Sequence, residues 1–310
     1  MTAVQLPGSR VRPKVVVKIV GGLGNQMFCY AAGRRLARFS EADLVLDIDF
    51  FRSDVRYERQ YRLDRFALAP HQVRSTLRVL PRPLDLRWWR VKRKLVQLGL
   101  VRGVTPFIER NPKHFYQELL LRPVEGTVLL DGYWQDERYF EDIRRDLVVE
   151  LLPKAPADAR NAALAEQLVR TDSVAIHCRR HHHRLADGSV HRASGRTGLE
   201  IRYYQRAVEQ LMDTVRPAHL YLFGDEPRWL AENLPDSLPR TIVDWNAAPG
   251  GEVLDYWLMT RCRHFVISNS TLSWWGAWVG GGEGKRVIAP RPQDLEYWVP
   301  GARGWEEIAW

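Results

Sequence analysis

Short apolar runs rich in β-branched residues recur along the chain, and segments with a helical spacing of apolar positions separate them. The runs that predict strands are residues 15–20, 44–48, 128–132, 174–178, 219–223, 241–244, 265–268 and 286–289. The segments that predict helices are residues 25–39, 136–150, 160–170, 200–215, 227–233 and 252–262. This alternation predicts an α/β protein whose parallel sheets are covered by helices on both faces.

Two features divide this pattern. Residues 52–126 are less regular and rich in proline and arginine, which predicts an irregular helical insertion. Residues 151–158 contain two prolines and predict a joint between domains. Because 310 residues exceed a usual single core, we expect an N-terminal domain at 1–155 and a second domain at 156–310.

Composition indicates a globular protein. Hydrophobic residues make up 45% of the chain and charged residues 27%. No run approaches the roughly 18 apolar residues of a membrane span, and the first residues lack the apolar core of a signal peptide. The three cysteines form neither a disulfide framework nor a C-x-x-C pair, so we expect a reducing, cytoplasmic location.

The net charge of +9 is concentrated in residues 87–102, which hold six basic residues, two tryptophans and no acid. Such a segment is a candidate for peripheral contact with the inner face of a membrane. The alternative is a solvated helix face with ordinary core contacts. Nothing resembles an RNA-recognition or zinc-finger signature, so we expect no nucleic-acid partner.

The glycine-rich corner after the first predicted strand is the most informative segment. Gly22, Gly24, Asn25 and Gln26 open a predicted helix, and backbone N–H groups at such a corner can hold a diphosphate or a sugar oxygen. The two adjacent amides favour a hydroxyl-rich ligand and therefore a sugar nucleotide. A purely structural strand-to-helix turn is the alternative.

Two other nucleotide-binding motifs fit less well. A dinucleotide fingerprint needs a third glycine where Met27 stands, although Asp47 ends the next strand where a ribose-binding acid would lie. The missing third glycine weakens the hypothesis that the protein is an NAD-dependent oxidoreductase. A Walker loop is missing, because Lys285 is followed by Arg286 and not by a hydroxyl residue.

Three polar clusters follow strands in the second half, where ligands bind in open α/β sheets. Arg179 and Arg180 end one strand, and a guanidinium fork fits phosphate oxygens. Asp225 and Glu226 end the next and could accept from hydroxyl or amino groups, or favour a helix start. The third cluster is Asn269, Ser270 and Thr271, more polar groups than one helix cap needs.

Metal binding and core packing are the alternatives near these clusters. The histidines at 177, 181, 182, 183 and 191 crowd the first cluster, but acidic partners are scarce and adjacent arginines repel a cation, so we expect no metal. The tryptophans at 274, 275 and 278 have helical spacing and predict core contacts.

Together these motifs resemble the α1,2-fucosyltransferase family of inverting, GDP-fucose-dependent glycosyltransferases, which is related to the α1,6-fucosyltransferases. The matching segments occur in the family's order and are GGLGNQMF at 21–28, LDGYWQ at 130–135, His177-x-Arg179-Arg180, FGDE at 223–226 and NSTLSWWGAW at 269–278.

The resemblance implies a GT-B-like fold with two Rossmann-type domains facing a cleft. The N-terminal domain would hold a galactose-type glycan or lipid-linked glycan acceptor, and the C-terminal domain the GDP-sugar. Transfer of L-fucose would form an α1,2 linkage with inversion, with no cofactor and no metal. Arg179 and Arg180 would stabilise the leaving group. The implied donor-binding residues are Gly22, Gly24, Asn25, Gln26, His177, Arg179, Asp225, Glu226, Asn269, Ser270 and Thr271.

One position departs from the family. Gly-Asp usually follows the two arginines, whereas this chain has His181 and His182. His182 is therefore a candidate general base. The substitution leaves open another GDP-sugar or another linkage. A non-enzymatic binder of nucleotides or nucleic acid is the alternative from a different class.

Overall fold

Two parallel sheets, of five and six strands, organise the part of the chain that the structure describes. The structure is a computed structural model. The described residues are 12–53, 59–74, 94–96, 98–101, 103–121, 123–154, 158–180, 182–184, 190–192, 199–215, 219–291 and 300–309.

The first sheet has the strand order β3–β2–β1–β5–β4, and every neighbouring pair is parallel. Its strands are β1 (Lys14–Lys18), β2 (Asp43–Asp47), β3 (Gln72–Arg74), β4 (Val104–Ile108) and β5 (Thr127–Asp131). The valines at the centre of β1 are fully buried, because helices or chain segments cover both faces of a central parallel strand.

The second sheet has the order β10–β9–β6–β11–β12–β13 and is also parallel throughout. The remaining strands among the described residues are β6 (Ser173–Cys178), β7 (His182–Arg184), β8 (Val190–Arg192), β9 (His219–Gly224), β10 (Arg240–Ile242), β11 (His264–Val266), β12 (Val287–Pro290) and β13 (Glu306–Ile308). β7 and β8 form a separate antiparallel pair.

Helices connect these strands. They are α1 (Leu23–Phe39), α2 (Phe50–Ser53), α3 (Glu118–Leu121), α4 (Arg144–Glu150), α5 (Ala159–Arg170), α6 (Ile201–Thr214), α7 (Pro227–Asn233), α8 (Glu252–Met259) and α9 (Thr271–Val279). Short 3₁₀ turns cover Leu63–Arg65, Glu137–Tyr139 and Glu141–Ile143. The local chemistry explains the boundaries: Asp158, for example, accepts a hydrogen bond from the Asn161 N–H and so begins α5.

Aromatic side chains join the two halves where α1 packs against α9. Phe28 of α1 lies 4.9 Å from Trp275 and Phe140 lies 5.3 Å from the same indole, measured between ring centroids. Trp274 and Trp278 stack at 5.9 Å. The tryptophans therefore belong to the core, as the sequence predicts, and this core fixes one helix against the other.

The eight predicted strands are all present, and so is the parallel α/β class. The structure adds β3 and β4 inside residues 52–126, at the two edges of the first sheet, so part of that region belongs to the sheet. Both strands lack a clear sequence signal: β3 is exposed, and β4 contains Pro106, which an edge strand tolerates. The predicted helix at 136–150 begins as 3₁₀ turns.

Other expectations lie partly outside the described residues. Of the basic segment 87–102, the structure describes 94–96 and 98–101. The domain boundary near 155 stays a prediction, since the first sheet ends at Asp131 and the second begins at Ser173. In the described ranges no helix combines the length and the apolar character needed to cross a membrane. Cys29, Cys178 and Cys262 are free and buried.

Candidate functional site

The glycine-rich corner after β1 is built as the sequence predicts, with Gly21 in the left-handed region at φ +76° and Gly22 as the N-cap of α1. Among the described residues no side chain caps this helix, and its first turn contains no acid. In the described structure the N–H groups of the first turn therefore have no side-chain cap at the corner, where the positive end of the helix dipole also lies.

The start of α9 lies directly against this corner. A methyl group on Gly24 would lie 2.5 Å from the Thr271 Oγ1, so only glycine permits the approach. The Trp275 Nε1–H donates to the Gly24 carbonyl at 3.0 Å and holds the contact. Ser270 is the N-cap of α9 but makes no side-chain cap bond, and its first turn also lacks an acid in the described structure. Two helix N-termini thus converge on one place.

The two adjacent amides of the corner have different surroundings. Gln26 is fully buried: its Nε2 donates to the carbonyls of Gly21 and Gln60, and its Oε1 accepts the Arg62 N–H. Through these bonds Gln26 holds the corner and the 60–62 segment together. Asn25 is half-buried and accepts from the Gln135 Nε2 at 2.9 Å, so it is the more exposed amide of the pair.

The second sheet brings its three polar clusters together, because β9, β6 and β11 are neighbouring parallel strands. His177 lies in β6, fully enclosed, with its Nδ1 2.8 Å from the Ser268 Oγ after β11. Burial lowers the pKa of His177 to about 4, so the ring is neutral at physiological pH. His177 therefore fixes the start of the 269–271 segment against β6.

The adjacent arginines separate. The Arg180 Nε lies 2.6 Å from the Glu226 Oε2, and its guanidinium lies 4.1 Å from the centre of the Trp229 ring. The Arg179 Nε has a longer contact, 3.7 Å, with the Asp225 Oδ2, and more than a third of its side chain is exposed. Asp225 also accepts the Arg180 backbone N–H at 3.0 Å. Asp225 and Glu226 therefore anchor the arginine segment, and Arg179 is the better placed of the two for a ligand.

The opposite end of α9 carries two cations. The Lys285 Nζ donates to the carbonyls of Ala277 at 2.7 Å and Gly280 at 2.9 Å, and Arg144 donates to the Trp278 carbonyl. The cations satisfy carbonyls at the negative end of the helix, whereas its positive end lies at the corner. Sequence analysis missed this pair; a lysine six residues after the helix was the available signal.

Sequence reasoning also missed Glu109 and Gln135. Glu109 follows β4 and accepts two backbone N–H groups from the segment after β5. Gln135 lies in the family-like motif at 130–135, but no spacing in the sequence predicts its contact with Asn25.

The histidine cluster is only partly described. His182 and His183 lie on β7 and His191 on β8, with His183 opposite His191, while the side chains of 181–198 and all of His181 lie outside the described residues. Among the described residues there is no group of three or more His, Cys, Asp or Glu side chains that could hold a metal. Asp47, the ribose-binding acid of the dinucleotide alternative, is buried and accepts the Asp49 N–H.

The chain is similar to known glycosyltransferases. A family model described as Glycosyl transferase family 11 matches residues 112–302. An α1,2-colitosyltransferase of Escherichia coli is 26% identical over 95% of this chain and 98% of its own length. The O-antigen biosynthesis glycosyltransferase WbnK of Escherichia coli is 27% identical over 87% of this chain and 92% of its own length.

Among solved structures, the α1,6-fucosyltransferase NodZ, from a crystal soaked with GDP-fucose, is similar with a TM-score of 0.51 and 16% identity. The match covers 87% of this chain and 93% of NodZ. At this identity the likeness shows the fold alone, and it confirms the expected GT-B-like pair of Rossmann-type halves.

Proposed function

This chain belongs to glycosyl transferase family 11, and from that membership we propose that it transfers L-fucose from GDP-fucose to a hydroxyl group of a galactose-type acceptor. The product would carry an α1,2 linkage formed with inversion. The observation that carries the proposal is the contact between Gly24 and Thr271, which brings two uncapped helix N-termini together beside the second sheet's polar clusters.

This geometry suits a nucleoside diphosphate leaving group. Negative charge grows on the diphosphate as the bond to the sugar breaks, and fixed N–H donors stabilise it without reorganisation. The α9 N-terminus with Asn269, Ser270 and Thr271 supplies such donors, and Arg179 supplies a full positive charge. We propose that these groups replace a metal ion, with no cofactor required.

The side of the cleft formed by the first sheet would hold the acceptor. The C-terminal ends of β1, β4 and β5 meet there, with the Lys18–Asp131 ion pair at 3.2 Å and the Tyr133 side chain at the surface. An inverting transfer needs a base for the acceptor hydroxyl, and His182 is the candidate carried from the sequence. A glycan or a lipid-linked glycan would fit this role.

Another donor sugar is the second candidate, and the full-length likeness to an α1,2-colitosyltransferase favours it. His181 and His182 in place of the family's Gly-Asp change the polar groups beside the arginines. A colitosyl donor would use the same diphosphate site and the same linkage.

Contact with a membrane is a further part of the proposal. Leu98 and Leu100 are 61% and 66% exposed and lie within the basic segment 87–102. A basic, apolar surface of this kind binds anionic lipid at the inner face of a membrane. Flotation with vesicles of anionic lipid at low salt tests it; equal recovery with neutral vesicles would contradict it.

The decisive experiment measures GDP release from GDP-fucose in EDTA, with and without a panel of galactose-terminated acceptors. Acceptor-dependent release, followed by linkage analysis of the product, would support a metal-independent α1,2-fucosyltransferase. Tight binding of GDP without release would favour another GDP-sugar. Salt-sensitive binding of RNA or DNA, with no preference for GDP, would favour the non-enzymatic alternative.

A further inference from the structure

Glu109 and Gln135 connect the end of β4 with Asn25 at the α1 corner. The proposed function gives neither residue a role. The Glu109 Oε2 accepts the Tyr133 N–H at 2.6 Å, and its Oε1 accepts the Trp134 N–H at 3.1 Å. One carboxylate therefore holds two consecutive residues of the turn that follows β5.

This turn has a conformation that needs such support. Trp134 has φ +56°, in the left-handed region that a bulky residue rarely adopts. A methyl group on Gly132 would lie 2.9 Å from the Glu109 Oε2, so the turn packs directly on the carboxylate. The indole of Trp134 is buried against Tyr139 at 5.6 Å. Glu109 and the buried ring together determine where residue 135 lies.

From this turn Gln135 reaches Asn25. The Gln135 Nε2 donates to the Asn25 Oδ1 at 2.9 Å. A carboxamide that accepts through its oxygen on one side presents its –NH₂ group on the other. The Asn25 Nδ2 lies over Gly21, where a methyl group would be 2.6 Å away. The –NH₂ group thus lies over the N-terminal corner of α1.

We propose that Glu109 and Gln135 are positioning residues that hold the Asn25 carboxamide with its –NH₂ group towards the diphosphate of the donor. The inference rests on the proposed transfer from a GDP-sugar. In this orientation Asn25 adds a donor to the two helix N-termini, whereas the reversed amide would present a carbonyl oxygen to an anion.

A double-mutant cycle in turnover tests the proposal, because a residue that acts through Asn25 has no effect once Asn25 is gone. Gln135→Met keeps the length of the side chain and removes its donor. We expect it to lower kcat about tenfold, the worth of one hydrogen bond. In an Asn25→Ala background it should lower kcat less than about twofold. The acceptor KM and the melting temperature should stay close to those of the parent in each case.

Glu109→Gln tests the other end of the connection. Glutamine accepts one of the two N–H groups but turns an –NH₂ group towards the other, so the turn loosens. We expect a loss of kcat of about three- to tenfold that also disappears in the Asn25→Ala background. Gln117→Met and Glu118→Gln, at exposed positions after β4, are the matched controls.

The outcomes separate the two proposals. Equal losses in both backgrounds would mean that Gln135 and Glu109 serve only the packing of the turn, and the inference would be wrong. No loss in the parent background would also overturn it. An unmutated protein that releases no GDP from any GDP-sugar, while it still folds, would instead contradict the proposed function.

Discussion

Gly24 of α1 and Thr271 of α9 lie so close that a methyl group at position 24 would be 2.5 Å from the Thr271 Oγ1. Helix α1 follows a strand of the first sheet, and α9 follows a strand of the second sheet. Their contact brings together the two N-termini that we propose hold the donor's diphosphate. The glycine at position 24 therefore has a packing role across the two halves in addition to the backbone role that its motif indicates.

The first prediction follows from this contact. Gly24→Ala forces α1 and α9 apart, and such overpacking costs about 1–3 kcal/mol in the free energy of unfolding. Denaturant unfolding monitored by tryptophan fluorescence measures this cost, since Trp275 lies at the contact. Gly22→Ala is the matched control for stability, because a methyl group at position 22 meets nothing within 4 Å. Equal stability of the two variants would contradict the packing role.

The second prediction separates the adjacent arginines. Arg179→Ala should keep the fold and lower kcat about 10²–10³-fold, the cost of removing one donor from a preorganised anion site. Arg180→Ala should act mainly on stability, because its guanidinium is engaged by Glu226 and Trp229. Turnover of GDP-sugar by Arg179→Ala within tenfold of the parent would rule out its role at the leaving group.

This division of roles shows how far the sequence could lead. The glycine corner, the three clusters after strands and the tryptophan core were predicted from motif and pattern, and their order matched one family. The separation of Arg179 from Arg180 could not be predicted, since it depends on Trp229, a residue fifty positions away that reaches the site only when β6 and β9 pair.

Gln26 is a second residue whose role could not be predicted from the sequence alone. Two adjacent amides at a glycine corner indicate a polar ligand, yet the partners of Gln26 are carbonyls and an N–H that the fold brings to it. Strands β3 and β4 were missed because edge strands that are short, exposed or interrupted by proline leave no apolar run. Pattern predicts what is buried along the chain, whereas contacts between distant segments decide which polar groups remain for chemistry.

The third prediction concerns the far end of α9. Lys285→Met removes the donor of the Ala277 and Gly280 carbonyls, which leaves buried acceptors without their partner. We expect a loss of about 1–3 kcal/mol in stability. The exposed Lys113→Met gives the baseline for the same change elsewhere. Thermal unfolding of both variants checks the difference, and an unchanged melting temperature for Lys285→Met would show that these bonds contribute nothing.

The fourth prediction uses the pH dependence of stability at Asp255 in α8. Desolvation raises the pKa of this carboxyl to about 7, while a hydrogen bond from the Asn246 Nδ2 at 2.9 Å opposes the shift. An acid whose pKa is higher in the folded state stabilises the fold when it is protonated. That contribution is complete below the unfolded-state pKa near 4 and is lost as the pH rises through 7.

Asp255→Asn should therefore raise the free energy of unfolding at pH 8 and change it little at pH 4. Asparagine keeps an oxygen that can accept from Asn246 and carries no charge to desolvate. The gain in the free energy of unfolding at pH 8 should be about 1–3 kcal/mol. This is less than the free energy that corresponds to the full pKa shift, because the carboxyl is partly exposed. Asp213→Asn, on the exposed face of α6, is the control.

His177, with its pKa lowered to about 4, has the opposite effect, because it weakens the fold as the pH falls from 6.5 to 4. Comparing the variants at both pH values isolates Asp255, because His177 is the same in each; a gain of equal size at pH 4 and pH 8 would contradict the titration of Asp255.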